Sequence, residues 1–151
     1  MKKVVFLLLT FVLLSVVFVG CNTKVYHWEF EKDVSDVQQI SIIYIGEMKN
    51  YGMKEIVNLS PIKVIDKSQH ENFYEEIKEI KMNKKFRVEI DYPYGDYCFL
   101  IDYGNDFYCV LSAFGSGYIF NNDNGYYDFR YGKLDFEQES FEILLNWYLE
   151  H

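Results

Sequence analysis

An apolar run from Val4 to Val19, set behind Met1-Lys2-Lys3, constrains everything that follows it. It has sixteen residues, with Thr10 and Ser15 inside, and Asn22-Thr23-Lys24 ends it. That is short of the ~20 apolar residues a membrane-spanning helix needs. Two lysines, an apolar core and a small residue, Gly20, make the pattern of a secretory signal peptide. Kept on a cytosolic domain, the run would leave an apolar tail in water and drive aggregation. The folding unit is therefore what comes after it. A chain of 151 residues less a leader of 20 leaves 131, which suits one domain. A domain of that size buries roughly two-thirds of its unfolded surface.

The cut site is specific. An ordinary signal peptidase wants small residues one and three positions before the cut, and Phe18 is too bulky for the second of these. The tetrad Phe18-Val19-Gly20-Cys21 instead resembles the lipobox of bacterial lipoproteins. The resemblance implies that Cys21 takes a diacylglyceryl thioether and becomes the mature N-terminus. It also implies that the chain sits on the extracytoplasmic face of a bacterial cell membrane. It divides the chain into a signal peptide at 1–20, a short lipidated tether at 21–24 and a single domain at 25–151. Asn22 to Lys24 reaches only ~10 Å when extended, which keeps the domain near the bilayer.

Charge narrows the partners. Without Lys2 and Lys3, the 15 basic residues fall to 13 against 23 acids, a net charge of −10. Such a chain is repelled by nucleic acid. It is repelled by anionic headgroups as well, so membrane residence is assigned to the lipid anchor. Lys78, Lys81, Lys84, Lys85 and Arg87 form a local basic cluster that could turn toward headgroups. Complementing a helix C-terminus and solvating a strand face account for it more simply.

The pattern beyond the tether predicts an α+β fold, an antiparallel β-meander with two packed amphipathic helices. A β-sandwich with peripheral helices is the alternative. Val25 to Phe30 reads as a short edge strand, Val37 to Ile45 as β-rich, and Met53 to Leu59 and Ile62 to Ile65 as shorter strands. Ser68-Gln69-His70-Glu71 has capping-box form. Phe73, Ile77 and Ile80 then recur at helical spacing up to a stop at Asn83. Phe86, Val88, Ile90 and Tyr92 alternate with charged residues as a half-wet strand before a turn at Pro93. Hairpins are expected around Gly104-Asn105 and Asn124-Gly125. Asp135 is the expected cap of a last helix with the stripe Phe141, Leu144, Leu145 and Tyr148. Phe73, Ile77, Val88, Ile90, Leu144 and Leu145 are the expected core.

Few residues invite chemistry. His27, His70 and His151 stand in unrelated contexts, without a metal-binding spacing. Phe120 stands where the loop before Gly125 would need its first calcium carboxylate. Gly115-Ser116-Gly117 lacks the spacing of a nucleophile elbow. Neither a metal nor a cofactor is expected. Cys98 and Cys109 fall in adjacent strands. A four-residue loop would set them opposite each other, whereas a two-residue loop leaves them diagonal and too far apart to bond. The compartment permits a disulfide.

One stretch is unusual. From Val88 to Phe129 there is no Lys, Arg or His, yet there are seven acids and thirteen aromatics. If Tyr92, Tyr94, Asp96, Tyr97, Asp102 and Asp106 share neighbouring hairpin tips, they make a recognition face for a glycan or a basic envelope protein. The plainer reading is that strands favour aromatics and turns favour Asp. Two functions follow. The first is a non-catalytic, lipid-anchored binding, accessory or inhibitor domain. The second is a cell-wall glycan-active enzyme using a carboxylate pair, Asp91 with Asp96 or Asp102, which needs a spacing of ~5–9 Å beside a cleft.

Overall fold

The β-branched and aromatic runs at Val37–Ile45 and Tyr97–Tyr103 become neighbours at the centre of one sheet. The computed structural model describes residues 25–46, 53–84, 96–113, 116–121, 127–131 and 134–151. In chain order the strands are β1 (Gln39–Tyr44), β2 (Lys63–Ile65), β3 (Met82–Lys84), β4 (Tyr97–Asp102), β5 (Phe107–Leu111), β6 (Gly117–Asn121), β7 (Tyr127–Tyr131) and β8 (Leu134–Phe136). The helices are α1 (Met53–Ile56), α2 (His70–Glu79) and α3 (Gln138–Glu150). Six strands form an antiparallel sheet in the order β2-β1-β4-β5-β6-β7, while β3 and β8 pair separately. The run from β4 to β7 is a meander, so the expected α+β meander is the architecture found.

The central strands are apolar on both sides, which is why their sequences read as near-continuous hydrophobic runs. On one face Ile40, Ile42, Phe99, Ile101, Cys109 and Leu111 pack with Phe73 and Ile77 of α2 and with Phe141, Leu145 and Tyr148 of α3. Phe99 is the hub. Its ring meets Phe73, Phe141 and Tyr148 edge-on, with centroids 4.9, 5.7 and 6.0 Å away, the geometry that ring quadrupoles favour. On the other face Ile43, Cys98, Leu100, Val110 and Ile119 pack with Ile56 of α1.

Several local expectations give way to longer-range contacts. Val25–Phe30 is no strand beyond a single bridge between Tyr26 and Met82. Its rings are used for packing instead, Trp28 lying 5.8 Å from both Tyr118 and Phe136. Met53–Leu59 holds a turn of helix at Met53–Ile56, followed by turns in which the Asn58 and Leu59 amides return to the Glu55 and Ile56 carbonyls. Ser68 does not form the capping box. Asp66 accepts both its amide, at 2.8 Å, and its hydroxyl, at 2.6 Å, and caps a 3₁₀ turn that leads into α2. That helix ends at Glu79, and Asn83 belongs to β3. Asp135 lies in β8 opposite Asn83, leaving the N-cap of α3 to Glu137. Of the expected core, Phe73, Ile77 and Leu145 are buried and Leu144 is half-buried. Val88, Ile90, the strand expected at 86–92 and the Asn124-Gly125 turn lie outside the described residues.

The β4–β5 turn settles the cysteines. Gly104, Asn105 and Asp106 all have positive φ, at 77°, 51° and 57°. The Asp102 carboxylate accepts the Gly104 amide at 2.7 Å. This turn is one residue longer than the Gly104-Asn105 loop and sets Cys109 opposite Ile101. A one-residue change of register moves side chains to the other face. Cys98 therefore lies in the core on the α1 side of the sheet and Cys109 in the core on the α2–α3 side. Both are free thiols. Neither register considered from sequence occurs, and the disulfide is excluded by the sheet between the two sulfurs.

Candidate functional site

Among the described residues the thiols and histidines are held apart and quiet. Burial pushes the Cys98 thiol up to about 12 and the Cys109 thiol well above its ordinary range, which keeps both protonated and inert near neutrality. One ring nitrogen of each histidine is engaged with a backbone carbonyl: His27 with Lys78 at 2.7 Å, His70 with Ile65 at 3.3 Å and His151 with Trp147 at 3.0 Å. Burial lowers the pKa of His70, favouring the neutral ring. Among the described residues no group of three or more His, Cys, Asp or Glu is placed to hold a metal ion. Nor is any described helix long and apolar enough to cross a membrane.

The acidic aromatic face expected from sequence divides in two. Asp96 and Tyr97 stand at the start of β4, whereas Asp102 closes that strand and Asp106 lies in the turn beyond it. At ~3.3 Å of rise per residue, Asp96 and Asp102 are roughly 20 Å apart. The carboxylate pairs expected from sequence both need Asp91, which lies outside the described residues. Tyr97 leans on Tyr44, ring centroids 5.2 Å apart, and Asp102 serves its own turn. Tyr92, Tyr94 and Asp91 lie outside the described residues, as does Cys21.

The structure instead makes concave surfaces around α2. A cavity of about 650 Å³ lies between residues 28–34 and the start of that helix, lined by Trp28, Phe30 and Tyr74 with Glu31, Glu71 and Glu75. Phe30 stacks on Tyr74 at 3.8 Å. Buried hydroxyls hold the site in place: Tyr74 bonds Tyr103 at 2.7 Å, and Tyr118 accepts the Glu31 amide at 2.8 Å. Both lysines of the wall are engaged, Lys78 with Glu75 at 2.7 Å and Lys32 over the Phe107 ring at 5.9 Å.

A groove of about 450 Å³ runs between α2 and α3. Glu75, Glu76 and Glu79 form its acidic wall, Ile80 and Leu144 its floor, and Ile143 and Trp147 its far side. Ile143 is 64 % exposed and Trp147 is 41 % exposed. The two are spaced i, i+4 and so share one outward line on α3. That second stripe was the available sign of this groove, but the longer Phe141–Leu144–Leu145–Tyr148 stripe beside it hid the pattern. A third, smaller cleft of about 280 Å³ brings Asp96 and Tyr97 together with Glu142 and Asn146. No protein-family model, curated protein or solved structure matches the chain.

Proposed function

We propose that this chain is a lipid-anchored binding domain of the bacterial cell envelope. In this reading Cys21 carries the lipid, and the domain engages a partner as an accessory or inhibitor rather than turning over a substrate. The observation that carries the reading is the make-up of the two concavities that flank α2. They combine carboxylates with aromatic and aliphatic side chains, a surface suited to recognition, while the thiols are buried away from them. The test is chemical cross-linking of the intact chain on its membrane, followed by mass spectrometry. A stoichiometric cross-linked partner that is lost with Cys21→Ala supports the reading. Its absence, together with glycan turnover by the purified chain, overturns it.

One observation favours the enzyme alternative: Asp96 and Glu142 line a single cleft. A glycan-cleaving reaction would use one carboxyl as acid and the other as base or nucleophile. Wall-glycan hydrolysis that disappears in both Asp96→Asn and Glu142→Gln supports this alternative, and unchanged hydrolysis removes it.

A further inference from the structure

The charge on the two packed helices is one-sided. Together α2 and α3 carry seven glutamates and a single lysine, Lys78, with no arginine. Lys78 is already paired with Glu75. The last turn of α3 has no basic residue of its own and carries Glu150, its lysine contact coming from Lys63 of β2, which donates to the Leu149 carbonyl at 3.5 Å. Beside this charge lie an exposed tryptophan and an exposed isoleucine, the kinds of side chain that anchor interfaces when covered. An apolar strip rimmed by an excess of carboxylates, only one of them paired with a lysine of these helices, has a cationic complement.

We propose that the α2–α3 groove docks a cationic amphipathic segment of a partner protein. Its apolar side chains would cover Ile80, Ile143, Leu144 and Trp147, and its lysines or arginines would face Glu75, Glu76 and Glu79. The inference deepens the binding-domain reading and rests on it. Charge complementarity selects this occupant. An anionic bilayer would meet a wall of like charge, and a second copy of the same face would oppose glutamate to glutamate. A basic segment is attracted by the wall. The exposed rings and aliphatics supply the apolar contact that charge alone lacks.

The test uses the full chain in detergent and a fluorescently labelled helical peptide with leucines on one face and lysines on the other, followed by anisotropy. Saturable binding is expected, weakened about tenfold or more by Trp147→Ala and by Glu79→Lys. Ile143→Ser, at a more exposed position, provides a second apolar variant whose melting temperature checks that folding is intact. Equal binding by the folded variants overturns the proposal, as does equal binding of a peptide with glutamate in place of lysine. Groove-dependent binding to phosphatidylglycerol vesicles overturns it in favour of a membrane face. Sedimentation showing a dimer that Ile143→Ser dissociates overturns it in favour of self-association. A membrane partner whose cross-linking is unaffected by these variants overturns the groove while leaving the binding-domain reading in place.

Discussion

The Tyr148 hydroxyl of α3 donates to a carboxylate oxygen of Glu76 on α2 at 2.7 Å. The ring behind it packs edge-on against Phe73, at 5.5 Å, and Phe99. One side chain thus ties the two helices together and plugs the core below the groove. Burial and the Glu76 bond both push the Tyr148 hydroxyl up from its ordinary pKa, so it remains a donor. Removing the hydroxyl alone, with Tyr148→Phe, keeps the ring and deletes the tie. A bond to a partly exposed carboxylate is worth ~1–2 kcal/mol. The denaturant midpoint should fall accordingly with an unchanged m-value, and a midpoint that does not move would mean the helices are held by packing alone.

Ile77 is fully buried in the core between α2 and the sheet. Ile77→Ala should cost ~2–5 kcal/mol, since the surrounding rings cannot collapse fully onto the space left. That is a large share of the stability of a small domain. Thermal unfolding of the variant checks it, and an unshifted transition would show that α2 does not dock as described.

Alkaline pH should destabilise the fold. The Cys98 thiol is held at about 12, above its ordinary value of 9.0, because burial disfavours the thiolate. A group whose pKa is raised by folding contributes stability below its unfolded pKa, and loses it as pH rises toward the folded value. The loss should therefore begin near pH 9 and continue toward 12. Tyr74, Tyr103 and Tyr118, whose hydroxyls are all pushed up chiefly by burial, reinforce it above their ordinary value of 10.0. Urea midpoints measured across that range should decline steadily, and a flat profile would contradict the burial of these groups.

The thiols give a direct readout of the register. In a Cys21→Ala background, Cys98 and Cys109 should react with a thiol reagent only as fast as the domain opens, and both should be free without added reductant. Rapid labelling of either residue, or a disulfide seen by mass spectrometry, would contradict their placement in two separate cores.

Cys21→Ala should also abolish acylation and leave an uncleaved, slower-migrating precursor. Undiminished incorporation of a fatty-acid analogue by that variant would overturn the lipoprotein assignment.

Elements whose identity depends on local pattern were legible in advance. The stripes Phe73–Ile77–Ile80 and Phe141–Leu144–Leu145–Tyr148 announce α2 and α3, and the β-branched and aromatic runs announce β1, β4 and β5. Their burial follows from side-chain periodicity alone. Short segments were less legible, because a turn of helix at Met53–Ile56 and a strand of the same length differ little in composition. The caps moved by one or two residues for a related reason. Asp66 takes the amide and hydroxyl of Ser68 itself, and β8 draws Asp135 away from α3.

By itself, the sequence determined the class of fold, the two amphipathic helices, the strong negative charge and the resemblance around Cys21, all properties of neighbouring residues. The tertiary structure alone decided where the site residues fall. One extra residue in the β4–β5 turn sent Cys98 and Cys109 to opposite faces. The length of β4 separated Asp96 from Asp102, and the packing of α3 beside α2 set Trp147 and Ile143 along a wall of glutamates. Register, strand length and helix packing are long-range quantities. They depend on which distant surfaces bury one another, and no local window contains that information.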